Sequence, residues 1–199
     1  MACKQLLRGQ DIRCINIDRK YYQQIVLINK DDVNEVAYSV NDESHAIAFN
    51  LVNGATGYKY IGSDLTSLYN ASFSKTTRKG QPLYNHTLNL PVIGVGTTTK
   101  LILKELDLST YFGAIQFRDG TIEIYGFENG LKTNDYTYEV QNGLGGTSIT
   151  LSSKFEEENI PYIYGGNSSD FDNNFVDIGA LLGGDFNDDF SNDFYIIQL

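Results

Sequence analysis

The sequence predicts a mainly β protein with one flanking α-helix and an extended acidic C-terminal arm. Three observations predict it. Apolar and polar residues alternate in short runs separated by Gly-containing turns, as in half-buried strands. Residues 97–108, TTTKLILKELDL, have apolar residues at helical spacing. From Gly165 onwards the chain has seven Asp and no Lys or Arg. We therefore expect a β domain over residues 1–164 and an arm over residues 165–199.

The clearest hairpin is predicted at residues 112–127, FGAIQFRDGTIEIYGF, which we expect at the centre of the sheet. The Asp-Gly pair at 119–120 suits a two-residue type I′ turn, which requires positive φ angles. This turn would pair Phe117 with Ile122 and Ile115 with Ile124. The expected result is one apolar face made by these four side chains.

The remaining elements follow the same logic. The expected order is short strands at 23–29 and 36–40, a hairpin at 45–60 turning at Asn-Gly 53–54, a polar strand at 68–79, a strand at 84–90 ended by Pro91, the helix at 97–108, and a strand pair at 136–141 and 147–155 around a turn at 143–146. Thr97 or Thr98 would cap the helix, and Ile102, Leu103 and Leu106 would face the sheet. The strand at 68–79 has few apolar residues, so we expect it at an edge or paired with another chain.

The charge is concentrated in the arm. The chain of 199 residues has a net charge of −10, of which the arm carries −7 and the body −3. This balance argues against a protein that wraps nucleic acid. The start has no signal-peptide pattern and no run of about 18 apolar residues occurs, so we expect no membrane contact.

The arm repeats Asp-Phe at 170, 185, 189 and 193 and ends in YIIQL. Apolar side chains spaced along an acidic chain suit anchors on a partner surface, with plain disorder as the alternative. The predicted interface residues are Phe171, Phe186, Phe190, Phe194, Tyr195, Ile196 and Ile197. We expect them to dock on a neighbouring subunit or another protein.

No catalytic, cofactor or metal site is predicted. His45 and His86 lie in strand patterns without a nucleophile motif, and Cys3 and Cys14 lack partners at zinc spacing. The stretch GVGTTTK at 94–100 lacks the Gly-Lys-Ser/Thr ending of a phosphate loop. Residues 185–196 partly match a calcium loop, which leaves weak calcium binding open. Phenylalanine stands there in place of the required Gly, and isoleucine in place of the closing Glu.

Several short motifs support a family resemblance. The opening, MACKQLLRGQDIRC, is followed by an apolar strand leading into a short helix at 88–108, Gly-Phe-Glu-Asn-Gly at 126–130, a Gly-rich turn, and a Thr/Ser strand ending in FEEENIPYIY. Over residues 1–164 this order resembles tail-tube-like structural proteins of tailed bacteriophages of gut Bacteroidales, crAss-like phages included. The resemblance does not cover the acidic arm.

The resemblance implies a tail-tube-like β-sandwich or barrel with one flanking helix. Such subunits join their inner strands around a ring, commonly six-fold, and the genome passes through the channel. The implied function is that of a non-enzymatic virion structural protein of the viral tail, assembled in the host cytoplasm, with other tail or connector proteins as partners and no specific DNA binding. The open edge of the polar strand would be completed by the next subunit. An acidic or neutral lining would let DNA phosphates slide past.

Two alternatives remain. A tail hub or head–tail connector ring is favoured by the arm, which lies outside the resemblance. From another class, a glycan-binding β-sandwich module would use exposed tyrosines as stacking platforms. Its candidate tyrosines are Tyr58, Tyr60, Tyr125, Tyr136 and Tyr138.

Overall fold

The computed structural model describes residues 22–33, 39–41, 44–52, 55–61, 70–117, 120–141, 144–165 and 176–177. Within these ranges the chain is mainly β, with one α-helix, α1 (Thr97–Leu108). The strands are β1 (Tyr22–Asn29), β2 (Ser39–Asn41), β3 (Ala46–Ala48), β4 (Tyr58–Ile61), β5 (Asn70–Arg78), β6 (Gln81–Ile93), β7 (Tyr111–Phe117), β8 (Ile122–Tyr125), β9 (Leu131–Thr133), β10 (Glu139–Gln141), β11 (Leu144–Ser153), β12 (Tyr162–Tyr164) and β13 (Val176–Asp177). The predicted fold class is confirmed.

The antiparallel pair β1–β7 lies between two hydrophobic cores. In β1, Ile25 and Leu27 point into one core, and Val26 and Ile28 point into the other. These four side chains are at most 1% exposed. A strand covered on both faces needs a continuous apolar run rather than an alternating one, and the sequence IVLI at 25–28 supplies it.

The two cores use different partners. The helix-side core consists of Ile25, Leu27, Leu88, Leu90, Val92, Leu103, Leu106, Tyr111, Ile115, Tyr125, Leu131, Ile149 and Leu151. The aromatic core consists of Val26, Ile28, Val33, Ile47, Phe49, Phe112, Ala114, Ile122, Ile124 and Tyr162. Strands β6 and β11 and helix α1 therefore cover one face of β1–β7, which gives a sandwich-like arrangement with one helix.

The strands form one mixed, branched sheet. Its longest path runs β2-β3-β12-β8-β7-β9-β11-β6-β5, while β1 joins β7 to β4. Most pairs are antiparallel, but β12 with β3 and β13 with β4 are parallel. The path ends in β5, whose described neighbour is β6 alone. Within the described part of the sheet, the polar strand therefore lies at an edge, as predicted.

Helix α1 begins and ends close to the predicted positions, with Leu103 and Leu106 buried against the sheet. The predicted cap is wrong. The N-cap residue is Gly96, which has no side chain that could cap the helix, and Thr97 is already the first helical residue.

The hairpin at 112–127 forms as β7–β8, but its predicted register is wrong by one residue. Ala114 pairs with Ile124 and Ile115 with Glu123. The backbone N–H of Gly120 bonds to the carbonyl of Phe117, and Gly120 has a φ of +83°, which makes a three-residue loop instead of a two-residue turn. As a result Ile115 lies in the helix-side core, whereas Ile122 and Ile124 lie in the aromatic core.

Three smaller expectations are also corrected. The predicted hairpin at 45–60 does not form, because β3 pairs with β2 and β12 while β4 pairs with β1 and β13. Its Asn-Gly turn lies outside the described residues. Pro91 does not end the strand, because it lies inside β6 and pairs with Ser148 of β11. On its other side, the described part of β5 ends opposite Asn89, so no β5 residue needs a hydrogen bond from the N–H that proline lacks. Residues 145 and 146 belong to β11 rather than to a turn.

Two glycines with similar backbone angles give a test of this packing. Gly126 (φ +73°) has the Leu131 side chain where a β-carbon would lie, whereas Gly120 (φ +83°) has open space there. We expect Gly126→Ala to lower the free energy of unfolding by about 2–4 kcal/mol, from backbone strain plus overpacking. The control Gly120→Ala should cost about 1–2 kcal/mol, from strain alone. Equal losses in urea unfolding would contradict the proposed Leu131 contact.

Candidate functional surface

The surface that stands out is the outward face of β5, β6 and β11, here called the polar face. Its residues are Asn70, Ser72, Ser74 and Thr76 on β5, Asn85, Thr87 and Asn89 on β6, and Ser148, Thr150 and Ser152 on β11. They share one face because each pairs across the ladder with another member or with an outward neighbour. The alternate residues of β6, His86, Leu88, Leu90 and Val92, are buried on the opposite face.

The named side chains of the polar face are hydroxyl and amide groups, and at one end of the face the Thr76 hydroxyl donates to the Glu156 carboxylate at 2.8 Å. Strands β5, β6 and β11 contain no Asp or Glu. Thr150 donates to the side-chain oxygen of Asn89 at 2.6 Å, and Ser152 donates to that of Asn134 at 2.8 Å. At the end of β5, Arg78 forms an ion pair with Glu156 at 3.1 Å, so these two charges offset one another. These bonds hold the side chains in place while leaving the surface electrically neutral.

Strand β5 forms the open border of this face. All nine of its residues pair with β6, from Asn70 opposite Asn89 to Arg78 opposite Gln81. Every β5 side chain except Ala71 is exposed. The two-residue turn Lys79-Gly80, with φ angles of +50° and +82°, fixes the register as a type I′ turn does. The sequence reasoning missed this turn because neither flank has the apolar alternation that identifies a hairpin.

The inner side of the same hairpin carries His86, one of the two histidines of the chain. Its Nδ1 accepts the backbone N–H of Gly126 at 2.9 Å, so its Nε2 is the atom that donates to the carbonyl of Asn159 at 3.1 Å. Burial lowers the pKa of His86 from 6.5 to about 4. This histidine therefore stays neutral at neutral pH and joins three segments. The other histidine, His45, stacks on Tyr162 with ring centroids 4.6 Å apart.

Next to His86, two glutamates hold two loops to each other, and we call this pair the carboxylate latch. Glu157 accepts the backbone N–H groups of Glu128 and Asn129 at 3.1–3.2 Å. In return, Glu128 accepts the backbone N–H of Glu158 at 2.7 Å and the Tyr162 hydroxyl at 2.9 Å. The turn at 126–130 and the segment at 156–162 are thereby fixed to each other.

The two carboxyl groups have pKa values displaced in opposite directions. Burial raises the pKa of Glu157 to about 7, with the Glu128 charge adding to the effect against the N–H groups that lower it. For Glu128, burial alone would raise the pKa, but hydrogen bonds from Asn159, the Glu158 N–H and Tyr162 lower it below its usual value. Acid–base sites use such pairs. Here both groups bind loop N–H groups and Glu157 is only 1% exposed, so their evident role is to fix the loops.

An open cleft of about 720 Å³ lies beside Glu128. It is lined by Lys30, Asp31, Val33, Val40, Phe127, Glu128 and Tyr162. The Lys30 ammonium donates to the carbonyl of Phe127 at 2.8 Å and so is already bound within the chain. Among the described residues no cluster of three His, Cys, Asp or Glu could hold a metal ion.

The seven predicted interface residues, from Phe171 to Ile197, all lie outside the described residues, as do Cys3, Cys14 and the calcium-loop-like segment. Of the arm beyond Gly165, only Val176 and Asp177 are described, and they pair in parallel with Tyr58 and Lys59 of the same chain. The docking of the arm on a neighbour stays a prediction.

The other predicted features have local partners. Lys100 belongs to the stretch at 94–100 that partly resembles a phosphate loop, and its ammonium nitrogen lies 3.3 Å from the centroid of the Tyr138 ring. The hydroxyl of Tyr136 donates to Asp107, and Tyr125 is only 5% exposed, which removes it as a stacking platform. In the described part of the chain no helix has both the length and the apolar character to cross a membrane.

Comparison of the chain with known protein families, with curated proteins and with solved structures found no match.

The latch predicts a pH dependence of stability. Because the pKa of Glu157 is raised from 4.5 to about 7, the folded protein keeps a proton that the unfolded chain has lost. This contribution is fully present below pH 4.5 and is lost as the pH rises through about 7. His86 acts in the opposite sense, since its contribution is present above pH 6.5 and is lost as the pH falls towards about 4.

We therefore expect Glu157→Gln, whose side chain stays neutral, to remove the contribution of Glu157 to the pH dependence of the free energy of unfolding. Urea unfolding of both proteins from about pH 5.5 to about pH 8.5 should show the wild type losing stability relative to the variant as the pH rises. Both proteins contain His86, so its contribution cancels in the difference between their free energies of unfolding. The exposed neighbour Glu158→Gln is the control and should follow the wild type. Parallel profiles for wild type and Glu157→Gln would show that Glu157 does not titrate in this range.

Proposed function

We propose that this chain is a ring-forming, tail-tube-like subunit of a bacteriophage virion that builds a channel for genome passage. The observation that carries the proposal is β5, a nine-residue exposed strand that borders an uncharged polar face and has one described sheet neighbour. A long open edge invites pairing with another chain, and closure into a barrel is the arrangement that removes it.

The polar face suits the channel lining. DNA phosphates bind tightly to clustered Lys and Arg, and a surface of hydroxyls and amides offers them no such site. A genome could therefore pass over Asn, Ser and Thr side chains without being held. The two offset charges of Arg78 and Glu156 lie at the end of β5, away from the middle of the face.

The dimensions are compatible with a six-fold ring. The strands β5, β6, β11 and β10, of which β5 and β10 have one described neighbour each, would span about 19 Å at roughly 4.8 Å per strand. Six such sheets give a circumference of about 115 Å and a backbone diameter of about 37 Å, before strand tilt widens it. That leaves room for a DNA duplex inside the side chains. A hub or connector ring uses the same closure and is the alternative within this class.

Native mass spectrometry of the purified protein tests the ring, with hexamers or their stacks as the expected species. In the same samples, β5 amides should exchange with deuterium about tenfold or more slowly in the oligomer than in the monomer, because a new strand pairs with them. A monomer at all concentrations would remove the proposal. A ring in which the β5 amides exchange as fast as in the monomer would show that the subunits associate through a surface other than β5.

A matched pair of substitutions addresses the edge itself. Ser74→Lys places a cation in the middle of β5, as natural edge strands do to prevent pairing. Leu108→Lys adds the same charge at a 72% exposed position at the end of α1. Both should change the free energy of unfolding by less than about 0.5 kcal/mol. Only Ser74→Lys should reduce the ring fraction. Equal ring fractions would contradict pairing through β5.

A further inference from the structure

The β5–β6 hairpin concentrates positive charge. Three of the fifteen basic residues of the chain, Lys75, Arg78 and Lys79, fall within five positions, and neither strand contains an acid. All three side chains are exposed. Arg78 is paired with Glu156, whereas Lys75 and Lys79 have no acidic partner among the described residues. Within the described ranges, the two lysines are therefore the cations of this hairpin that are not paired with an acid.

Aromatic rings lie beside one of these cations, Lys75. Phe73 is 47% exposed and stands two residues before Lys75, on the same face of β5. Its ring lies 6.1 Å from that of Tyr84, which is the cross-strand partner of Lys75. We call Phe73, Lys75, Lys79 and Tyr84 the hairpin-end patch. It offers an ammonium group next to a partly exposed ring, a combination that selects a ligand with both negative charge and apolar surface.

The chain itself contains a segment with that chemistry. The Asp-Phe dipeptide occurs at 185, 189 and 193, within a part of the arm that has no basic residue. Each repeat places a carboxylate beside a phenyl ring. At about 3.3 Å per residue, the chain after β13 could carry Asp185 about 26 Å and Asp193 about 53 Å from Asp177, and the second distance exceeds the width of one subunit. The last part of the arm can therefore reach an adjacent copy.

We propose that the hairpin-end patch of one subunit binds the Asp-Phe repeats at 185–194 of a second copy of this chain. The inference rests on the proposed ring, in which the neighbour is held close and intermolecular capture costs little entropy. The aspartates pair with Lys75 and Lys79, and the phenylalanines pack against Phe73 and Tyr84. Electrostatics favours this contact. Each arm carries a charge of −7, so the arms of neighbouring subunits repel one another unless they bind cations on an adjacent subunit.

Zero-length crosslinking of the full chain tests this contact. Copies grown with ¹⁴N and ¹⁵N are mixed, dissociated and reassembled, then treated with a carbodiimide, which joins Lys amines directly to carboxylates. Trypsin leaves residues 155–199 as one peptide because no Lys or Arg follows Lys154. We expect mixed-isotope crosslinks from Lys75 or Lys79 to Asp185, Asp188, Asp189 or Asp193. Crosslinks within one isotope only would mean that each arm binds its own body, and would overturn the inference.

Charge reversal supplies the matched control. Lys75→Glu should reduce mixed-isotope crosslinks from Lys79 to the arm about tenfold, since repulsion replaces attraction. Lys104→Glu makes the same change at an exposed site on α1 and should leave them unchanged. Arms carrying Asp185→Lys and Asp189→Lys should restore capture by the Lys75→Glu patch, which a misfolded hairpin could not do. Equal effects of Lys75→Glu and Lys104→Glu, or no restoration, would overturn the inference.

The two proposals fail differently. A ring by native mass that gives no mixed-isotope crosslink between the lysines and the arm removes this inference and leaves the ring standing. A monomer that gives none removes both.

Discussion

Burial of β1 and β7 on both faces is the constraint on which the rest of the structure depends. A strand pair with apolar side chains on two sides needs two covers, and the chain supplies them from different regions. Helix α1 and strands β6 and β11 close the helix-side core, while β3, β12 and Phe49 close the aromatic core. Neither cover makes a core alone, so we expect the two to fold cooperatively around β1–β7.

This arrangement leaves one sheet face without a core to fill. The inward residues of β6 and β11 already satisfy the helix-side core, so their outward residues are free to be Ser, Thr and Asn. The hairpin formed by β5 and β6 is joined to the body by His86, which connects Gly126 with Asn159, and by backbone hydrogen bonds between Tyr84 and Glu157. The latch therefore links the stability of the core to the position of the polar face.

The sequence was sufficient for the fold class and for elements whose own pattern is strong. Helix α1 and the edge strand β5 were found because helical spacing and a lack of apolar residues are local signals. The β7–β8 register was missed because both faces of β7 are buried, so alternation no longer distinguishes a shift of one residue. The latch was missed because it joins residues 28 to 34 positions apart, mostly through backbone N–H groups, which no side-chain motif reveals. The polar face emerged only when pairing placed three strands side by side.

The central claim is that the polar face of β5, β6 and β11 lines a channel closed through the β5 edge. A cryo-electron microscopy reconstruction of the assembled particle tests it most directly. The account predicts a continuous sheet across each subunit boundary, with β5 hydrogen-bonded to the next subunit and the side chains of Ser72, Ser74 and Thr87 facing the lumen. A reconstruction in which β5 lies in solvent, or in which these side chains face outward, would contradict it.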